Sequence, residues 1–282
     1  MNVDPSLQAY VGRLFAPLRT TPAGEVPGPG ALSSALADLD PKQKTRKTVN
    51  VTPAVAKMFS TAAINMWSRA VHSFLISSAL SGVSPIWASV SGYYSSHYSV
   101  RAIAHALGYF QVFRIKKLVR LEYQGGRFVG TFDPKTGKDR EHQLYWRVVK
   151  DNPQFASDPF FTLNTSGAAQ SDASHRERAN YADHLPQLPV FNPLARSEII
   201  AQIEKISSIR FDTPPIPDTE GFPEVESVQV MAYHRLVTFR ELLDEVLSPQ
   251  HRFWGVHRDP PWARDFLDYQ MISGAALEDA GQ

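Results

Sequence analysis

The sequence predicts a mainly α fold, an antiparallel helical bundle with a small antiparallel β insertion at about 111–150. In segment 54–80 apolar residues recur at spacings of three and four, which is the period of an amphipathic helix. A second helix is predicted at 86–107, where Gly108 ends it. Between 111 and 150 β-branched and aromatic residues dominate, and the Gly125-Gly126 pair indicates a hairpin turn.

Start and stop signals place each element. The first long helix begins where Thr52 can cap and Pro53 suits the first helical position, and it ends before Gly82 and Pro85. The pattern predicts strands at 112–123, 127–132 and 142–149, and further helices at 171–185, 194–209 and 225–247. From this order we predict an N-terminal extension and linker at 1–53, a helical domain at 54–248, and a C-terminal tail at 249–282 that packs on the body.

Composition excludes several classes of protein. The 282 residues include 29 basic and 28 acidic side chains, so no bulk charge draws the chain to nucleic acid or membrane. Cysteine is absent, which removes disulfides, thiolate nucleophiles and Cys-ligated zinc and fits a reducing compartment. The N-terminus lacks the basic and apolar regions of a signal peptide. We therefore expect a cytoplasmic protein with no membrane span.

One side of the predicted second helix gathers polar residues. Successive helical residues advance by about 100°, so the helix can be laid out as a wheel. Such a row, if buried, needs hydrogen-bond partners or a ligand, because each unpaired group costs about 1–3 kcal/mol. It is either a network that joins this helix to its neighbours or part of a site. The candidate residues on this side are Tyr94, His97, Arg101 and His105, with Trp87, Ser91 and Tyr98 beside them.

A second polar cluster lies at 175–184, just before Pro186. Arg178 and His184 are separated by five residues, and Asn180 lies between them. An arginine can hold a phosphate through two donors, and a histidine exchanges a proton near neutral pH. The cluster is therefore a candidate for phosphate chemistry. The alternative is an exposed helix end whose side chains bind local carbonyl groups.

A third cluster is basic and lies on the predicted hairpin. Alternating residues point to one face of a strand, so part of this cluster shares a face. It could bind a nucleic-acid backbone, although a solvated strand face is the commoner meaning of such a pattern. The sequence holds no nucleotide-binding glycine motif, no serine-hydrolase motif and no histidine pattern typical of a metal site, so we predict no cofactor and no metal. The basic residues are Arg114, Lys116, Lys117, Arg120 and Arg127.

Two stretches together resemble HEPN-type helical domains. Ser91-Gly-Tyr-Tyr94-Ser-Ser-His-Tyr98-Ser-Val-Arg101-Ala resembles the central helix of that superfamily, in which a small residue and a Tyr pair precede an Ala-rich end. Arg178-Ala-Asn180-Tyr-Ala-Asp-His184 resembles its later Arg-x4–6-His motif. The resemblance covers roughly 54–110 and 171–247.

The resemblance implies a metal-independent endoribonuclease of the toxin or phage-defence kind, active as a homodimer on RNA, with a regulatory or antitoxin protein as a further candidate partner. In such enzymes the ribose 2′-hydroxyl attacks the adjacent phosphate. Carried over, Arg178 stabilises the phosphate charge, His184 transfers a proton, and Asn180 and Tyr94 orient them. Two alternatives stay open: a non-catalytic helical protein that binds a nucleotide, nucleic acid or protein partner, and an unrelated helical protein.

Overall fold

The computed structural model describes residues 2–20, 48–81, 84–112, 117–133, 141–162, 196–208, 225–248 and 252–258. Over these residues the chain is mainly helical with one small antiparallel sheet, which confirms the predicted fold class. The helices are α1 (Pro5–Phe15), α2 (Pro53–Leu80), α3 (Pro85–Ala106), α4 (Glu141–Lys150), α5 (Pro159–Thr162), α6 (Arg196–Ser208), α7 (Val225–Asp244) and α8 (Arg252–Arg258), with a 3₁₀ turn at Ala16–Thr20. The strands are β1 (Thr48–Val51), β2 (Tyr109–Val112), β3 (Lys117–Gln124) and β4 (Arg127–Asp133).

Helices α2 and α3 pack antiparallel at the centre of the molecule. The Thr52 side chain caps α2 by accepting a hydrogen bond from the Val55 N–H at 3.3 Å, as the sequence predicts. The Ser77 hydroxyl donates to the Ala88 carbonyl at 2.7 Å, and the Ser95 hydroxyl donates to the Ala70 carbonyl at 2.8 Å. Small residues thus let the two helices approach closely enough to exchange side-chain bonds with each other's backbone.

Helix α7 packs against the same part of α3. A Cβ atom added to Gly92 would lie 2.8 Å from Val228 Cγ1 and 3.2 Å from Ser77 Oγ. A larger residue at position 92 would therefore collide with both neighbouring helices. The glycine is needed for its size, at the point where α2, α3 and α7 meet.

The sheet has the strand order β1-β4-β3-β2, and all three pairs are antiparallel. Strands β3 and β4 form the predicted hairpin, with Gln124 opposite Arg127. Gly125 and Gly126 have φ values of 56° and 82°, which a type I′ turn requires at both central residues. Strand β1 lies within the region we predicted to be a linker and pairs with β4 from Thr48–Thr131 to Val51–Phe128.

The third predicted strand, at 142–149, is wrong because this segment forms helix α4. Its aromatic and β-branched residues favour a strand by propensity. Leu144, Tyr145 and Val149 are nevertheless buried, and this spacing of one, four and five places them on one side of a helix. Packing against the core therefore decides the conformation of this short segment.

Both ends of the described chain pack on the core. In α1 the side chains of Val11, Leu14 and Phe15 are fully buried, and the Asp4 carboxylate caps the helix. In α8 the Trp254 ring is fully buried, with its centroid 5.1 Å from that of Trp67. Among the described residues, no helix has both the length and the apolar character needed to cross a bilayer.

Candidate functional site

The C-terminal end of the polar side of α3 is a packed network. His105 is only 3% exposed, and its Nδ1 donates to the Tyr109 carbonyl oxygen at 2.8 Å. Its ring stacks on Phe110 with centroids 4.4 Å apart and meets the Tyr145 ring edge-on at 5.5 Å. Burial first, and then the charge of Arg101, lower the pKa of His105 to about 3. This histidine is therefore neutral at physiological pH and has a structural role.

The middle of the same side is more accessible. Arg101 is half-buried, and its guanidinium lies 5.0 Å from the centroid of the Tyr145 ring. His97 is 3% exposed and lies parallel to Tyr93 with centroids 6.2 Å apart. The predicted polar row thus divides into buried histidines and a half-exposed part.

We call the half-exposed part the α3 seam. Its residues recur at spacings of four and three, so they share one side of the helix. The rings of Tyr94 and Tyr98 are close to parallel, with an interplanar angle of 29° and centroids 6.0 Å apart. Trp87 is 59% exposed, whereas tryptophan is on average highly buried. The seam consists of Trp87, Ser91, Tyr94, Tyr98 and Arg101.

The predicted Arg–His motif falls outside the described residues, as do two residues of the basic cluster. Lys117 is the first residue of β3. Arg120 is described in full: its side chain is 55% exposed and its Nε lies 3.4 Å from a Glu122 carboxylate oxygen. The residues outside the described ranges are Arg178, Asn180, His184, Arg114 and Lys116.

A buried arginine that sequence reasoning missed lies beside the α3 network. Arg235 on α7 is 1% exposed; its Nε and Nη2 donate to the Phe160 carbonyl, Nε at 2.9 Å, and its Nη1 donates to Ser96 Oγ at 3.0 Å. Its guanidinium also lies 4.4 Å from the centroid of the Trp146 ring. The sequence feature that could have indicated a buried Arg235 is its helical spacing from apolar residues that face the core.

The residue before it, His234, holds the chain that precedes α5. His234 Nε2 lies 3.2 Å from Asp158 Oδ2, and the imidazole stacks on Phe160 at 3.8 Å. Partial burial alone would raise the pKa of Asp158, but the hydrogen bond and charge of His234, the Phe160 N–H and Arg235 together lower it. Together His234 and Arg235 attach the Asp158–Phe160 segment to α7.

A cavity of about 500 Å³ lies between the start of α1, strand β3 and the turn at 151–154. It is the place where Arg120, one of the predicted binding residues, meets other polar groups. Tyr10 closes one wall by donating from its hydroxyl to the Leu121 carbonyl at 2.8 Å. The other polar lining residues are Asp4, Ser6, Tyr109, Glu122, Tyr123, Gln124, Asn152 and Gln154.

The described part of the chain holds no group of three or more His, Asp or Glu side chains that could bind a metal ion. Comparison with protein-family models, with curated proteins and with solved structures finds no match for the chain.

Proposed function

We propose that this chain is a metal-independent endoribonuclease of the HEPN-like toxin or phage-defence type, and that it holds single-stranded RNA on the α3 seam. The observation that supports the proposal is the near-parallel pair of half-exposed rings, Tyr94 and Tyr98, with Arg101 at the end of the seam. Aromatic rings that stack on bases, next to a cation that neutralises phosphate, are the usual components of single-strand binding surfaces. Arg114, Lys116, Lys117 and Arg120 supply further phosphate contacts in this proposal.

In the proposed reaction the ribose 2′-oxygen attacks the adjacent phosphorus and the bond to the 5′-oxygen breaks. His184 takes part in the proton transfer from the 2′-hydroxyl to the leaving oxygen, and Arg178 stabilises the charge on the phosphate. Asn180 and Tyr94 orient these groups. The products carry a 2′,3′-cyclic phosphate and a 5′-hydroxyl. The active form is a cytoplasmic homodimer, with an antitoxin or other regulatory protein as partner.

The binding step is tested by changing one ring of the seam. Tyr98→Leu removes a stacking surface and should weaken binding of a labelled single-stranded RNA by about 1–3 kcal/mol. Tyr98→Phe keeps the ring and is the matched control, so its affinity should stay near that of the wild type. Fluorescence anisotropy in excess chelator measures both. Equal affinity of the two variants and the wild type would contradict the proposed RNA surface.

A second candidate function is binding without catalysis. It is favoured by the buried, neutral state of His105 and by the position of Arg101 against Tyr145. These contacts give His105 and Arg101, two residues of α3 whose side chains could act in catalysis, a role in packing. RNA that is bound on the seam but stays intact would select this candidate over the nuclease.

A further inference from the structure

The cavity between α1, β3 and the turn at 151–154 has a size suited to a small molecule. Its volume of about 500 Å³ falls within the range of small-molecule sites, which runs from roughly 300 to 1,000 Å³. It lies at the edge of the sheet, next to the junction of α3 and β2, and none of its lining residues belongs to the α3 seam. Its walls combine the rings of Tyr10 and Tyr109, the Arg120–Glu122 pair, the Asp4 carboxylate and the amide side chains of Asn152 and Gln154.

Strand β2 covers only part of the edge of β3 that faces the cavity. Strand β2 pairs with β3 only from Lys117 to Arg120. At Leu121, the next residue along β3, groups outside β2 make the hydrogen bonds. The Leu121 N–H donates to the Gly108 carbonyl at 2.8 Å, and the Leu121 carbonyl accepts from the Tyr10 hydroxyl. The peptide groups of alternate residues point to the same edge of an antiparallel strand. The N–H and C=O of Tyr123 therefore point to the edge that Leu121 uses, beyond the last filled position.

In the described ranges, no main-chain group forms a hydrogen bond with the N–H or the C=O of Tyr123. The pair formed by Tyr123 and Phe128 falls between the hydrogen-bonded pairs of the hairpin, so β4 does not use these two groups. The cavity thus has one main-chain donor and one main-chain acceptor next to each other on its wall. Because Tyr10 and Gly108 block the preceding position, a ligand can use one residue of the edge but cannot add a full strand.

The cation Arg120 lies on the same strand and lines the same cavity. Arg120 is three residues before Tyr123, so at about 3.3 Å per residue their Cα atoms are about 10 Å apart. Its guanidinium is close to Glu122 at 3.4 Å and to the Tyr109 ring at 5.7 Å, and more than half of its side chain is exposed. A guanidinium has five donors, so a single contact with Glu122 leaves others for an anion.

We propose that this cavity binds a nucleoside 5′-monophosphate group. The edge of the base pairs with the Tyr123 N–H and C=O, because every base carries an acceptor next to a donor in its plane. The phosphate lies on Arg120, because this cation lines the same cavity as Tyr123. This site shares Arg120 with the proposed RNA surface, but none of its lining residues belongs to the α3 seam and it does not depend on RNA cleavage. The source is either a free nucleotide or the 5′-phosphorylated end of an RNA.

Isothermal titration calorimetry of the full chain tests the site. The ligands are AMP, GMP, CMP and UMP, with adenosine and inorganic phosphate as partial ligands and a 5′-phosphorylated trinucleotide as the RNA end. We expect at least one nucleotide to bind about tenfold or more tightly than either partial ligand, since base and phosphate contacts combine. Tighter binding of the mononucleotide than of the trinucleotide identifies a free nucleotide as the source, and the reverse order identifies an RNA end.

Two variants locate the contact. Arg120→Gln should weaken nucleotide binding about tenfold or more and leave adenosine binding unchanged, because only the charge-assisted bond to phosphate is lost. Arg127→Gln, which removes an exposed arginine of the same hairpin outside the cavity, is the matched control and should bind as the wild type does. The proposal is overturned if no nucleotide binds, if inorganic phosphate binds as tightly as the nucleotides, or if both variants lose affinity equally.

Discussion

The Nδ1 atom of His105 lies 2.8 Å from the carbonyl oxygen of Tyr109, and this bond joins the end of α3 to the first residue of β2. The N–H must lie on Nδ1, because a carbonyl can only accept. A protonated imidazole would keep this donor, but its charge would be buried and close to Arg101, so the folded protein holds His105 in the neutral form. Its titration has a direct effect on folding.

Stability should fall as the pH decreases from about 6.5 to about 3. In the unfolded chain His105 has its ordinary pKa of 6.5, whereas in the folded protein its pKa is lowered to about 3. Between these values the unfolded state binds the proton and the folded state does not, which favours unfolding by up to about 1.4 kcal/mol per pH unit. His105→Asn keeps a donor for Tyr109 and does not titrate. Urea unfolding at pH 7, 6 and 5 should show the wild type losing stability relative to this variant, and a constant difference would contradict the assignment.

Arg235 should be important for stability through its acceptors. Arg235→Met keeps most of the aliphatic volume but leaves the Phe160 carbonyl and the Ser96 hydroxyl without this donor. Each buried group left unpaired costs about 1–3 kcal/mol, so the free energy of unfolding should drop by several kcal/mol. Arg127→Met is the control, because Arg127 is exposed at the hairpin and should change stability by less than about 0.5 kcal/mol. A drop of the same size in both variants would show that Arg235 is not the anchor of this segment.

The Asp158–His234 contact should depend on the carboxylate charge. The pKa of Asp158 in the folded protein lies below its ordinary value of 3.8, so the stability that this carboxylate contributes is present above pH 3.8 and is lost as the pH falls through the lowered pKa. Because both side chains are partly exposed, Asp158→Asn should cost only about 0.5–1 kcal/mol at pH 7. Thermal unfolding of the wild type and the variant between pH 7 and pH 3 should converge at the acidic end. A difference in stability between the wild type and the variant that increases as the pH falls would contradict this prediction.

Two glycine-to-alanine substitutions should have opposite effects. Gly92→Ala forces a Cβ against Val228 and Ser77 and should destabilise the protein by about 1–3 kcal/mol. Gly12 lies inside α1 with no atom within 4 Å of an added Cβ, so Gly12→Ala should stabilise by about 0.5–1 kcal/mol through helix propensity. The denaturant midpoints of the two variants measure the loss and the gain of stability. An unchanged midpoint for Gly92→Ala would mean that α3 does not approach its neighbours this closely.

The elements that the sequence predicts well are those whose signals are local. Thr52 and Pro53 define the start of α2, and the two glycines at 125 and 126 define the hairpin, because capping and positive φ depend on a few adjacent residues. Strand β1 has only four residues and owes its conformation to pairing with β4, about eighty residues later in the chain. No short-range pattern contains that information.

The candidate site shows the same division. The wheel of α3 correctly brings Tyr94, Tyr98 and Arg101 to one side, since their spacing alone determines it. Which of the polar residues become buried depends on partners that are distant in sequence, such as Tyr145 for His105. Arg235 was missed for this reason as well, because its acceptor on Phe160 is 75 residues away.

The proposed nuclease activity is tested most directly by the mass of the reaction products. Purified wild-type protein is incubated with a defined single-stranded RNA in excess chelator, and the fragments are measured by mass spectrometry. We expect fragments that end in a 2′,3′-cyclic phosphate, with a rate about 10²–10⁴-fold lower for His184→Ala. A substrate with 2′-deoxyribose at the cleavage position should stay intact. Uncut RNA with the wild type, or equal cleavage by His184→Ala, would contradict the proposed function.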